Sequence, residues 1–329
     1  MMHRPVVLLA KAFVFLLAFQ WAGHAAAQAS DYPSRPIRMI IPYAPGGPDD
    51  LIGRIVGKKL NELWGQPVVI DNRPGVGGII AIDVTSKSVP DGYTLAVGDL
   101  GQLAIAPGLY VKLPYHPLRD LAPVAKVASF PYALAVHPGV PARTVRELIE
   151  LAKSKKVPMT YGSTGTGGTT DLAMRLFSSL TGVELLQVPY KGSGPFVTAL
   201  LAGEVDMAIT DMAVGGPQAK AGKLRLLAAA SDRRLVLAPQ LPTIAEAGVE
   251  GYSIEFWGGI VAPVGTPRDI INKLSSAIDS GLKAPDVQQR FNEIGYAPVG
   301  GTPEQFVATI RADIEKYARI IKNANIKPQ

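Results

Sequence analysis

The chain has no cysteine among its 329 residues. Disulfides, thiolate metal sites and cysteine nucleophiles are therefore excluded. Histidine is nearly as scarce. His3 and His24 fall at the N-terminus, and His116 in "PYHPL" and His137 in "VHPG" each sit beside proline, in turn or strand-end settings. Neither H-E-x-x-H nor G-x-S-x-G occurs. Aromatic residues make up only 7% and do not interleave with basic runs, so nucleic-acid binding is not expected. Beyond the N-terminus, no run reaches the ~18 apolar residues that a membrane span needs.

Apolar residues are plentiful at 47%, and charged residues are few at 18%. Such a chain can bury a sizeable core in one large domain or two ordinary ones. The N-terminus reads as an export signal. His3, Arg4 and Lys11 give a basic start, "AFVFLLAFQWAG" an apolar run too short to span a bilayer, and Ala25 and Ala27 the A-x-A positions. Cleavage is expected after Ala27, with Ala29 the alternative. Loss of residues 1–27 removes Arg4 and Lys11 and no acid, which lowers the formal charge from +6 to +4. A mildly basic surface suits a small acidic ligand.

Strand-like and helix-like stretches alternate from residue 37. "IRMII" is apolar and β-branched; after it Ile52, Ile55, Val56, Leu60 and Leu63 recur at helical spacing. "PVVID", a helical "IIAIDVTSKS", "TLAVG" and a short helix around "LAIAPGLY" complete a βαβα pattern, which implies parallel strands covered on both faces. The pattern restarts at "YALAVHP". Thr144 precedes a helix as its N-cap, with Glu147 placed for a capping box. "MTYG", "LLQVPY", "VDMAIT" and "LRLLAAAS" are further strands, and "YSIEFWGGIVAP" is an extended apolar stretch. Three helical patterns close the chain, starting near Arg268, Pro285 and Pro303. Only the first set of strands is short of helices, so the chain is expected to return to it through "YSIEFWGG". This gives one lobe of residues 28–131 plus 252–329, a second of 132–251, and a hinge at the two crossings.

Four strands end in glycine-containing loops that lead to helices: "PYAPGGPDD", "VGDLGQLA", "YGSTGTGGTTDLA" and "PYKGSGPFV". Strand carboxyl ends in parallel α/β sheets share one edge, where ligands bind. Helix N-termini there offer free N–H groups and partial positive charge, and glycine allows close approach. Ser163, Thr164, Thr166, Thr169, Thr170 and Ser193 add hydroxyls. The loops therefore suit a carboxylate or another small anion. A nucleotide fits less well: "GSTGTGGTT" lacks the P-loop lysine, and Thr170 stands where G-x-G-x-x-G needs its third glycine. Asp49 and Asp50 read as helix caps, and Asp99, Asp171 and Asp211 as caps or partners of a polar ligand group.

At this point the chain resembles a family, the extracytoplasmic solute receptors of tripartite tricarboxylate transporters, often called Bug receptors. The likeness runs from Tyr32 to Ala324 through "YPSRPIRMIIPYAPGG", "GQPVVIDNRPGVGG", "PDGYTLAVG", "YGSTGTGG", "VPYKGSGP", "LLAGEVDM" and "LPTIAEAG". It implies an α/β, two-lobed periplasmic-binding-protein fold of the Venus-flytrap, type II-like kind, with mostly parallel sheets and a hinge. It implies a periplasmic, monomeric, non-enzymatic receptor without cofactor, which takes a small organic carboxylate and meets membrane transporter subunits. Carried over, the ligand contacts are Tyr43, Ala44, Pro45, Gly46, Gly47 and Asp50, then Gly98, Asp99, Leu100 and Gly101. In the second lobe they are Ser163, Thr164, Thr166, Gly168, Thr169 and Thr170, then Tyr190, Lys191, Gly192, Thr210 and Asp211. Tyr43 and Tyr190 read as cleft walls or as core. Three places depart from the family pattern. Pro48, Asp49 and Asp50 replace glycine, threonine and aspartate; Asp171 replaces a histidine; Thr210 and Asp211 replace aspartate and asparagine. The rival reading, a secreted α/β enzyme, would need a nucleophile–base pair or a metal cluster, and the sequence offers neither.

Overall fold

The computed structural model describes residues 32–328, so the export signal and its cleavage point lie outside the described residues. Strands β1 (Ile37–Ile41), β2 (Val68–Asn72) and β3 (Thr94–Asp99) pair in parallel. Helix α1 (Pro48–Trp64) joins the first two, and a 3₁₀ turn at Val76–Gly78 leads into α2 (Ile79–Ser86) before β3. A π-helical turn at Gly101–Ile105 then runs into α3 (Ala106–Leu109), followed by β4 (Leu121–Phe130).

A second unit follows without a linker: Pro131 alone separates β4 from β5 (Tyr132–Val136). It continues through α4 (Val145–Ser154), β6 (Met159–Ser163), α5 (Thr169–Thr181), β7 (Leu185–Pro189), α6 (Ser193–Ala202), β8 (Met207–Asp211), α7 (Met212–Lys220) and β9 (Arg225–Ala229). The chain then returns through β10 (Phe256–Pro263) to α8 (Arg268–Leu282), α9 (Pro285–Ile294), β11 (Ala297–Gly300) and α10 (Pro303–Asn323).

The two sheets share one plan. The first has the order β11-β4-β10-β3-β1-β2, the second β7-β6-β8-β5-β9. In each, the strand that follows a crossing is inserted antiparallel between its third and fourth partners: β10 between β3 and β4, and β5 between β8 and β9. Both sheets are therefore mixed, although β1 to β4 share one direction and β6 to β9 another. Tyr132 stacks on Phe256 with ring centroids 3.9 Å apart, so the two crossing strands touch where they change sheets.

Local sequence accounts for the placement. β1 is buried at Ile37, Met39, Ile40 and Ile41, and only Arg38 interrupts its apolar run. Gly47 caps α1 with Pro48 in its first turn, and left-handed Gly65 ends it. Ile52, Val56 and Leu60 face the core at four-residue steps. The next step falls on Trp64, whose ring meets Tyr32 at 6.0 Å, and Leu63 is instead 60% exposed. Thr144 caps α4 as expected, accepting from the Glu147 N–H at 3.1 Å. The Glu147 carboxylate, however, takes the N–H of Arg143 rather than that of Thr144. A complete capping box forms at Thr302 and Gln305. α10 packs on β4 and the π-helical turn, and α8 on β4 and α1, so the C-terminal helices do cover the first sheet. Trp257 Nε1 donates to Asp313 Oδ2 at 2.8 Å and ties β10 to α10. Sequence reading passed over β4, β11 and α7.

Candidate functional site

The helix starts built by the glycine loops meet between the two sheets. Helices α1, α5 and α6 begin at Gly47, Gly168 and Gly192, none with a side-chain cap bond. Their first-turn N–H groups and the positive ends of their dipoles are left for something other than their own caps. The loops touch across the divide. Ala44 N donates to Lys191 O at 2.8 Å, Tyr110 Oη to Thr166 O at 2.6 Å, and Thr169 Oγ1 to Asp99 Oδ1 at 3.2 Å. A Cβ on Gly77 would lie 2.8 Å from Gly168 N and 2.9 Å from Thr166 O; one on Gly192 would lie 3.1 Å from Ala44 N. Gly77 has φ +59°, so both its backbone and its surroundings call for glycine.

Two of the loops are built alike. "GGPDD" at 46–50 opens α1 and "GGTTD" at 167–171 opens α5. In each, the first glycine has positive φ and the second is an extended N-cap. In each, the aspartate in the first turn accepts the N–H of that first glycine. Gly46 N reaches Asp50 Oδ2 at 3.0 Å and Gly167 N reaches Asp171 Oδ2 at 2.8 Å. In each, an arginine one turn on closes an ion pair, Arg54 with Asp50 at 2.9 Å and Arg175 with Asp171 at 3.0 Å. Asn72 Nδ2 adds a bond to Asp50 Oδ1 and another to Tyr43 O. Burial works against an ionised Asp50, but the bonds from Arg54, Gly46 and Asn72 outweigh it and hold its carboxyl below the usual range. Asp50 and Asp171 thus brace their loops.

The loops differ at two buried positions, Pro48 against Thr169 and Asp49 against Thr170, and the second is the telling one. Thr170 accepts the N–H of Thr164 at 2.9 Å. Asp49, its counterpart, is 3% exposed and its Oδ1 has no partner among the described residues. Two more buried acids approach it from other elements. Asp99 ends β3 and accepts from Tyr43 Oη at 3.1 Å, Thr169 Oγ1 and the N–H of Gly101. Asp211 ends β8, caps α7 through Ala213 N at 2.9 Å, and accepts from Tyr296 Oη at 3.1 Å, all on Oδ1; its Oδ2 has no partner among the described residues. Burial raises all three carboxyls. Asp99 is pushed up to about 6 and Asp211 to about 7 against their hydrogen bonds, while Asp49 rises well above the usual range under burial and then the charges of Asp99 and Asp211.

The remaining expected residues divide between the cleft and the frame. Tyr43 is buried, its hydroxyl taking Gln102 Nε2 at 2.8 Å, and Gln102 also holds Gly77 O at 2.8 Å. Ser163 accepts from Gln187 Nε2 at 2.9 Å. Thr166 meets the cleft through its carbonyl. Pro45 and Gly46 are exposed, and Ala44 is half-buried. Leu100 is core, Gly98 lies against Leu103, and Gly101 lies against Asp99 and Thr169. Tyr190 is half-buried on the apolar cluster of α6, and the Lys191 side chain is exposed, so only its carbonyl reaches the other loop. Thr210 is buried against Gly215 of α7. Sequence reasoning missed Gly77, Gln102, Tyr110, Tyr132 and Tyr296. The "RPGVGG" stretch carried a signal for Gly77, since paired glycines follow a strand there too.

Comparison with known proteins gives this arrangement its relatives. A family model described as the tripartite tricarboxylate transporter family receptor matches residues 52–326. Protein BugT of Bordetella pertussis is 36% identical over 308 residues, covering 93% of this chain and 94% of its own. A solved structure of the periplasmic binding protein BugD is 30% identical with a TM-score of 0.87, covering 91% of this chain and all of its own. R. palustris Rpa4515, solved with adipate, is 35% identical with a TM-score of 0.87 over the same shares. The two-lobed α/β architecture is shared with these structures, and the chain belongs to the tripartite tricarboxylate transporter receptor family of solute-binding proteins.

Proposed function

We propose that the protein is a periplasmic receptor that captures a small organic carboxylate between its lobes and presents it to the membrane subunits of a tripartite transporter. The observation that carries this reading is the meeting of three glycine-capped helix N-termini, α1 from one lobe and α5 and α6 from the other. Such ends supply neutral N–H donors and dipole charge to an anion without a basic side chain. The lobes comprise residues 28–131 plus 252–329 and residues 132–251, and they open about Pro131 and the segment before β10. The proposed contacts are the backbone of Tyr43 to Gly47, Asp99 to Gly101, Ser163 to Thr170 and Tyr190 to Gly192. Adipate in R. palustris Rpa4515 is a carboxylate of the right class. The N-terminal signal directs export and is cleaved near Ala27, and the protein binds as a monomer without turnover.

A thermal-shift screen across organic acids, amino acids and aromatic acids tests this. A cognate ligand at 100 Kd adds about 2.7 kcal/mol of stability by mass action. Scattering with and without that ligand should show compaction, and the ligand should be recovered unchanged. Identical scattering profiles, or conversion of the ligand, would overturn the reading.

A further inference from the structure

We propose that Asp49 and Asp211 form a cross-lobe seat for a protonated amine, which makes the ligand an amino-carboxylate rather than a plain diacid. The inference rests on the carboxylate-receptor reading and specifies the far end of the same ligand. Its basis is two unpartnered oxygens, Asp49 Oδ1 from the start of α1 and Asp211 Oδ2 from the end of β8. Both residues are almost wholly buried, at 3% and 0% exposure. A buried carboxylate oxygen without a donor is costly, and the cost grows when a second carboxylate faces it.

The local frame does not require these charges. The twin loop does the same structural work with Thr170, whose hydroxyl is satisfied by Thr164 N. Asp211 caps α7 with Oδ1 alone, a task that asparagine performs equally well. The hydrogen bonds to Asp99 and Asp211 come from hydroxyls and backbone N–H groups, none from a lysine or arginine. The carboxyl groups here are therefore matched by no basic side chain of those sets. An ammonium group carries a unit of positive charge and three donors, which suits one oxygen from each lobe. Because the oxygens come from opposite lobes, the same group would favour the closed form.

Calorimetry with pairs of equal chain length decides it: glutamate against glutarate, 6-aminohexanoate against adipate, and 1,6-diaminohexane alone. The amino member of at least one pair should bind tenfold or more tightly than its diacid. Asp49→Asn and Asp211→Asn should each erase that preference while the diacid holds or gains affinity. Asp49→Thr, which copies the twin loop, should raise the melting temperature of the ligand-free protein at pH 8, whereas a merely structural aspartate would lower it. Diacids bound as tightly as their amino partners, or variants unchanged in preference, overturn the ammonium seat and leave the carboxylate receptor standing. Binding of the diamine alone keeps the seat and overturns the carboxylate reading. No response to any member of either pair overturns both.

Discussion

The loops "GGPDD" and "GGTTD" solve one geometric problem twice. Each turns the chain from a strand into a helix with a left-handed glycine, an extended glycine and an aspartate that takes the first glycine's N–H. Each anchors that aspartate to an arginine four residues on. Against this shared frame the inward residue stands out: Thr170 is satisfied within its own loop, and Asp49 is not. The bracing aspartates belong to the architecture, and the contrast at the neighbouring position is what motivates the proposed ammonium seat.

The largest expected effect tests whether the two braces are equal. Asp171 is fully buried, with Tyr161 Oη at 2.7 Å, Gly167 N and Arg175 all directed at it, and Arg175 is itself only 26% exposed. Asp171→Ala should cost about 3–5 kcal/mol, the scale for breaking a buried pair. Arg54 is half in solvent at 51%, so Asp50→Ala should cost less, about 1–3 kcal/mol. Urea denaturation of both variants gives the order directly, and equal losses would mean that the exposure of Arg54 does not weaken its brace.

Next comes the contact between lobes. Gly77→Ala places a methyl group within 3 Å of backbone in the second loop, whereas a Cβ on Gly47 meets Ser193 at an ordinary 3.5 Å. Ligand affinity should fall about tenfold or more in Gly77→Ala, since the closed form is penalised, and remain near wild type in Gly47→Ala. Titration of both with one ligand shows whether closure or the loop backbone limits binding.

A pH series separates the acids. In the unfolded chain these carboxyls ionise near pH ~4. In the folded protein Asp99 and Asp211 are pushed up to about 6 and about 7, and Asp49 further. Groups raised in this way lend stability that is complete below pH ~4 and is lost as pH rises through 6 and 7. Asp50 also acts on Asp49, and Tyr43, Tyr115, Tyr132 and Tyr296 lie against the set; these four hydroxyls stay neutral throughout, raised by burial. Melting temperature measured from pH 4 to 8 without ligand should decline, and Asp49→Thr should flatten the decline. The smallest effect lies in the second loop: Thr170→Val removes the acceptor for Thr164 N and should cost about 1–2 kcal/mol, with little change in that pH slope.

Much of this was legible in the sequence. The four glycine loops, the βαβ alternation and the cap at Thr144 follow from local patterns, and the return of the C-terminal helices from a count of elements. β4 was missed because "LAPVAKVASF" carries a proline and no clear alternation, and its place is fixed by β10, far away in sequence. Asp50 was expected to touch ligand, yet Arg54 and Asn72 engage it, a role set by how β2 lies beside the loop. Asp211 was read as a cap or a ligand contact, and its two oxygens fall to different surroundings. Asp211 acts on Asp49 from a distant part of the chain, which no periodicity records.

The place of β10 also governs the order in which the molecule can be made. It lies between β3 and β4, yet it begins at residue 256, after every strand of the second sheet. A chain delivered from its N-terminus must therefore hold β3 and β4 apart, each with an unpaired edge, while more than a hundred further residues emerge. The second sheet has no such gap, since β5 to β9 are contiguous, and it can finish first. Exposed edges of this kind invite pairing with the wrong strand. The window of greatest aggregation risk thus opens when β4 is complete and closes only when Phe256–Pro263 slots in.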